Sequence, residues 1–245
     1  MYRVVEVGSF SFPKPDKEIN EDFLLFPIHD ENSNIVFAIA DGVGSSYGAS
    51  YASRCVIDAV RGYATKGKFS MESAILFAKQ QLDVMSEHQT LYKESATTLT
   101  VIQVTDSEVV VGHIGDCRAY YKRGRKLVQL TKDHTRYQEL LDTKEHSVRK
   151  LNEHKERLSS VITKALAHGV ELDYDIYRFN LNELVDNKEA IITLMSDGAY
   201  EHWHKRARFA EPTMSSPAAF ANSLKKRVQK CPTDDFTCLS VKIQF

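Results

Sequence analysis

The sequence predicts an α+β fold in which two mostly antiparallel sheets stack together and carry helices on their outer faces. Two observations lead there. Short runs rich in β-branched and aromatic residues, cut off by Gly, Pro, Asn or Asp, come in blocks along the chain. Helical periodicities fall between and after those blocks and do not alternate βαβα, which disfavours a parallel doubly wound sheet. A third bounds the size: 245 residues, 42% of them hydrophobic and 27% charged, suffice for a single domain over 1–245 whose core needs neither disulfides nor structural metal.

The elements follow in order. YRVVEVGSF, DFLLFPI and IVFAIADG read as three strands before residue 42. From Ala49 the period changes, and Ala49, Ala52, Val56, Ala59, Val60 and Tyr63 share one helical face that closes near Gly67. Ser70 is placed to cap a second helix, whose stripe is Met71, Ala74, Ile75, Ala78, Leu82 and Met85. TTLTVIQVT, EVVVGHIG, CRAYYKR and KLVQLT then predict one antiparallel meander with tight connections. Segment 136–160 lacks Gly and Pro and is heavily charged. It reads either as a solvated pair of short surface helices or as a mobile insert beside a site. The strand EAIITLMSDG, a helix with Ser216 as cap and Pro217 as its first residue, and the strand FTCLSVKIQF complete the chain.

Lys and Arg number 32 against 33 Asp and Glu, a net charge of −1 without long blocks, which argues against a nucleic-acid groove or a polybasic membrane anchor. No apolar run reaches the length of a membrane span, and MYRVVEVGSF lacks the build of a signal peptide, so a cytoplasmic protein is expected. The four cysteines form no CxxC pair and are expected to be packed thiols, none of them the nucleophile of a cysteine phosphatase.

Chemistry concentrates in acidic residues. Asp41, Asp116 and Asp197 each stand beside a Gly at the end of an apolar β-run, and Asp234 opens the last strand. One such Asp-Gly is ordinarily a turn. Several on neighbouring strand ends would form a carboxylate cluster that stays ionised only with a compensating cation. An oxygen-only set suits Mg²⁺ or Mn²⁺, and Gly42 lets a backbone carbonyl approach the ion.

Asn20-Glu21-Asp22, Ala40-Asp41-Gly42-Val43-Gly44, Ser95-Ala96-Thr97-Thr98, Gly115-Asp116-Cys117-Arg118, Leu130 to Thr135, Ile162 to Leu166, Ser196-Asp197-Gly198 and Asp234-Asp235-Phe236-Thr237 occur in that order. With these elements the chain resembles the type 2C metal-dependent serine/threonine protein phosphatases, in particular their compact bacterial members. The resemblance implies a four-layer α-β-β-α sandwich that hydrolyses phosphoserine and phosphothreonine on proteins through a hydroxide activated by two Mn²⁺ or Mg²⁺ ions. It implies that Asp41 bridges the ions, that Asp197 and Asp234 complete one site, and that Glu21 and the Gly42 carbonyl serve the other. Asp116, with Asp197, corresponds to the holder of a third ion. Asp22 is expected to orient a metal-bound water, and Asp235 is the rival of Asp234, which is preferred by its position in the motif.

Lys17 stands where the family usually binds phosphate with Arg, and a lysine loses the bidentate fork. Val43 replaces a histidine of the eukaryotic members, which leaves the general acid open between a metal-bound water and the solvent. Segment 136–160 matches the family's flap. The implied partners are phosphorylated proteins in signal transduction, among them a Ser/Thr kinase or its targets, bound by a monomer. A non-enzymatic binding module of the same fold would be expected to lack metal carboxylates, and Asp41, Asp197 and Asp234 are all present.

Overall fold

The computed structural model describes residues 2–43, 48–88 and 92–245; Gly44 of the Asp-Gly-Val-Gly element lies outside them. One sheet has five strands, β1 (Arg3–Phe12), β12 (Phe236–Gln244), β11 (Glu189–Met195), β7 (Arg118–Arg123) and β8 (Lys126–Gln129), in that spatial order. The other has seven. β10 (Asp175–Asn180), β6 (Glu108–Ile114), β5 (Leu99–Val104), β3 (Ile35–Val43), β4 (Ala96–Thr97) and β9 (Leu166–Ala167) form its path, with β2 (Asp22–His29) also pairing β3. Every pairing is antiparallel.

Strand β3 shows why the layers form. Its run is apolar at consecutive positions because both faces are covered. Ile35, Phe37 and Ile39 join Ile102, Val111, Ile192, Leu194 and Val241 in the core between the sheets. The alternate residues Val36, Ala38 and Ala40 pack with Val56, Val60, Ile75 and Leu82 of the helices α1 (Ala49–Ala64) and α2 (Met71–His88). On the opposite side, Tyr120, Met195 and Cys238 pack beneath Trp203 of α7 (Asp197–Lys205) and Phe220 and Leu224 of α9 (Pro217–Val228). Ser216 caps α9 as expected, its hydroxyl accepting from the Ala219 amide at 3.2 Å.

Two expectations are corrected. The meander is not continuous: β5 and β6 form a hairpin in the seven-stranded sheet, whereas β7 and β8 form one in the five-stranded sheet. The chain changes sheets at Gly115, whose φ is +100° and where a Cβ would lie 2.4 Å from the Thr98 side chain, so that no L side chain is tolerated. Helix α7 is the second correction, because Asp197-Gly198 reads as a turn by itself and the helical pattern behind it is short. Segment 136–160 forms three short helices, α3 (Arg136–Thr143), α4 (Val148–Asn152) and α5 (Lys155–Ser159), largely exposed except for Leu151.

Gly115→Ala should lower the unfolding free energy by about 2 to 4 kcal/mol, through positive-φ strain and overpacking on Thr98. Urea denaturation followed by circular dichroism checks this, and a midpoint equal to that of the parent protein would refute it.

Candidate metal centre

The carboxylates meet at one edge of the two stacked sheets. Register places Asp22 of β2 opposite Asp41 of β3. Asp116 follows the sheet-switching Gly115, Asp197 opens α7, and Asp234 and Asp235 precede β12. A cavity of about 490 Å³ is lined by Glu21, Asp41, Gly42, Val43, Asp116, Asp197, Asp234 and Asp235, with Lys14 and Lys17 on its wall and Ser160 and Ile162 at its rim. All the sequence-predicted site residues therefore come together, Asp22 lying buried behind the wall.

Close backbone approaches hold this convergence. A Cβ on Gly198 would sit 2.1 Å from the Asp235 carbonyl oxygen, so only glycine lets the first turn of α7 press Asp197 against the 234–235 segment. A Cβ on Gly42 would meet the Ala49 backbone at 2.7 Å, which brings the start of α1 against Asp41. The Asp41 amide donates to Thr98 Oγ1 at 3.0 Å, and its carbonyl accepts from the Thr98 amide at 2.8 Å and Thr97 Oγ1 at 2.9 Å. The part played by Ser196 is not visible in the sequence. Its hydroxyl donates to Asp22 Oδ2 at 2.8 Å and accepts from the Thr237 amide at 3.0 Å, tying the start of α7 to β2 and β12 beneath the cavity.

The electrostatics are those of crowded anions. Asp41 is pushed well above the usual carboxylate range by burial, then by the charges of Asp22, Asp197 and Asp116. Asp197 rises likewise through burial, Asp116 and Asp234. Burial raises Asp116 to about 7, with Asp133 adding to the effect, and burial raises Asp22 to about 6. Among the described residues, the buried Asp22 Oδ1 has no hydrogen-bond partner. Lys17 lies 2.7 Å from Glu21 Oε2 and 3.8 Å from Asp235 Oδ2; burial works against its charge, but these carboxylates hold its pKa above the ordinary value. Two lysines on the wall do not balance six carboxylates. The donor set, hard oxygen without His or Cys, fits Mg²⁺ or Mn²⁺, although among the described residues no three side chains yet converge as a finished cage.

Asp234 and Asp235 differ in their commitments. Asp235 is 4% exposed, and its two oxygens accept from the Lys14 and Glu21 amides, each at 2.7 Å. Among the described residues, Asp234 accepts only from its neighbour's amide, at 2.9 Å.

His134, to which the sequence assigns no role, braces the crossover. Its Nδ1 accepts from the Gly115 amide at 3.0 Å, so the proton sits on Nε2, which donates to Asp175 Oδ2 at 3.0 Å. His113, fully buried, donates from Nε2 to the Lys132 carbonyl at 3.1 Å and meets the Thr100 hydroxyl through Nδ1 at 2.9 Å. Arg118 forks onto Asp133 at 2.8 Å and lies 3.7 Å over the Tyr200 ring of α7, fixing the residues that follow Asp116.

Other phosphatase and metal patterns are present in the sequence but not in space. The Cys-x₅-Arg spacing of a cysteine nucleophile does occur, at Cys55–Arg61 and Cys117–Arg123. Cys55 lies within helix α1, and Cys117 is fully buried with its thiol held well above the ordinary pKa by burial, so neither sits on a phosphate-cradling loop. His202 and His204 stand two apart on α7, where such residues point away from each other. His202 is buried, and His204 Nε2 bonds the Tyr120 hydroxyl at 3.0 Å.

Comparison with known proteins agrees with this architecture. The description "Protein phosphatase 2C" matches residues 15–231. A putative protein phosphatase of Mycoplasma genitalium is 26% identical, over 94% of this chain and 92% of its own. The serine/threonine phosphatase Stp1 of Staphylococcus aureus superposes with a TM-score of 0.80 at 20% identity, covering 98% of this chain and 95% of that one. The catalytic domain of the phosphatase PstP, solved in complex with two manganese ions, gives a TM-score of 0.76 at 21% identity over 100% of both chains. The chain belongs to the protein phosphatase 2C family, a class of protein serine/threonine phosphatases.

His113 is held near 3 by burial, then by His134, against about 6.5 in the unfolded chain. The unfolded state therefore binds more protons between these values, and stability is lost as pH falls below about 6.5. From pH 7 to pH 5 this group should remove about 2 kcal/mol, and His113→Gln should flatten that part of the stability profile, as measured by urea unfolding at each pH. An unchanged slope in the variant would contradict the assignment.

Proposed function

We propose that the carboxylate cavity hydrolyses phosphoserine and phosphothreonine esters of proteins with two divalent ions, Mn²⁺ or Mg²⁺. The observation that carries this is the convergence of six carboxylates on one cavity, where Asp41 is raised by burial and by three neighbouring charges. The complex of the related PstP with two manganese ions supports the choice of metal. Asp41 would be shared between the ions, Asp197 and Asp234 would complete one site, and Glu21 with the Gly42 carbonyl would complete the other. The prior commitment of Asp235 to two backbone amides supports Asp234 as the ligand. Asp116 and Asp197 would hold a third ion. When bound, such ions supply an activated water as nucleophile and stabilise charge on the transferring phosphoryl group.

The chain's own residues do the rest. Asp22, held by Ser196, lies behind Asp41 and orients water at the cavity floor. Lys17 swings from Glu21 to meet the substrate phosphate as a point charge. Ser160 and Ile162 at the rim connect segment 136–160 to the cavity, which supports its reading as a flap that touches the substrate polypeptide. The substrates are signalling phosphoproteins, among them a Ser/Thr kinase or its targets, met by a monomer in the cytoplasm; no helix among the described residues is long and apolar enough to cross a membrane.

Phosphate release from a phosphothreonine peptide should require Mn²⁺ or Mg²⁺, stop in EDTA, and fall at least about 100-fold in Asp197→Ala. Equal rates in all three conditions would sink the proposal. Lys17→Ala should raise KM for the peptide about tenfold, a loss of ~1.4 kcal/mol of phosphate binding, and unchanged kinetics would remove Lys17 from the site.

A further inference from the structure

Two basic stretches that are separate in the sequence meet where the end of α7 approaches the last turn of α9. They are Lys205, Arg206 and Arg208, and then Lys225, Lys226, Arg227 and Lys230. Among the described residues none of these cations is ion-paired to a carboxylate. A cavity of about 400 Å³ opens there, lined by Arg206, Arg208, Phe209, Ala210 and Arg227.

Arg227 organises this cavity. Its Nη1 donates to the carbonyls of His202 at 3.3 Å and Arg206 at 2.7 Å, and its Nη2 to that of Arg208 at 3.4 Å. Segment 206–208 thereby wraps the guanidinium, which also lies 4.3 Å from the Phe209 ring centre. A guanidinium carries five N–H donors. Three are spent on carbonyls, leaving Nε–H and one Nη2–H without a partner among the described residues, donors open to phosphate oxygens. Arg206 and Arg208, exposed on the same wall, can supply further donors. Burial, then the neighbouring charge of Arg206, pulls the Arg227 pKa down, as expected of a cation that lacks a counter-charge.

We propose that this arginine pocket docks a second phosphoryl group carried by the same protein substrate whose first phosphoryl group enters the carboxylate cavity. The inference rests on the phosphatase reading above. Three arginines without carboxylate partners suit a dianionic phosphate better than a single carboxylate. Helix α7 starts at the carboxylate cavity and ends at this pocket, about 12 Å along its axis, so an extended substrate chain spans the gap in roughly four residues or a few more. Without its ions the carboxylate cavity repels a phosphate-rich chain, whereas the basic pocket attracts it with or without them, so the pocket selects multiply phosphorylated segments.

Two measurements on the full chain test this. In EDTA, fluorescence anisotropy of a labelled phosphoserine peptide should show binding that Arg206→Ala/Arg208→Ala weakens about tenfold and that salt weakens steeply. Equal affinity for parent and variant would overturn the proposal, as would inorganic phosphate displacing the peptide as well as unlabelled peptide does. With Mn²⁺, the parent should show about tenfold higher kcat/KM for a phosphothreonine peptide carrying a phosphoserine six residues away than for the singly phosphorylated one. The variant should lose that preference while turning over p-nitrophenyl phosphate at the parent rate; a preference absent from the parent or retained by the variant would also overturn the proposal. Absence of all turnover, with the binding difference intact, would count against the phosphatase reading while supporting the pocket as a phosphate-binding site.

Discussion

Carboxylates brought out of water beside one another raise each other's free energy of ionisation, and the architecture of this protein is arranged around sustaining that strain at one edge of its two sheets. Asp22 and Asp41 are neighbours by strand register, Asp116 arrives by a change of sheet, and Asp197 arrives at the start of a helix. Packing alone would disperse such a group. In the proposed reading divalent cations supply the missing charge, and the protein's task is to hold the anions close before the cations bind.

The holding is done by uncharged contacts. Glycines 42 and 198 let backbones approach more closely than any side chain allows, and Ser196 joins β2, α7 and β12 through one hydroxyl. Asp235 spends both oxygens on amides of the chain entering the site, whereas Asp234, among the described residues, is bonded only by its neighbour's amide. Behind Asp116, the neutral His134 and the Arg118–Asp133 fork clamp the crossover between the sheets. These groups stand just outside the carboxylate cavity, and their geometry is inherited from the packed layers beneath it.

Charge behaves in a similar way at the opposite end of α7. A net charge of −1 and the absence of a long basic block carry no hint of an anion site there. Folding joins two short stretches, and the spending of Arg227 on carbonyls rather than on a carboxylate leaves the patch uncompensated. The relation between the two sites, one acidic and one basic at the two ends of a nine-residue helix, exists only in space.

The sequence by itself determined the fold class, most of the strands though not β9 or β10, the two long helices and the α9 cap, since period, capping residues and glycine breaks act over a few neighbouring residues. It also supplied the Asp-Gly elements that gave Asp41, Asp116 and Asp197, and the Asn-Glu-Asp and Asp-Asp-Phe-Thr elements that gave Glu21, Asp234 and Asp235. Tertiary structure decided that β6 and β7 belong to different sheets, that Asp197 begins a helix, and that His134 faces Gly115. It also showed Cys-x₅-Arg and His-x-His spacings to be incidental, because Cys117 is buried and His202 and His204 point apart. The reason is common to these cases: which strand pairs with which, and what a side chain meets across a gap in the chain, depend on packing between distant segments, and local patterning carries no record of it.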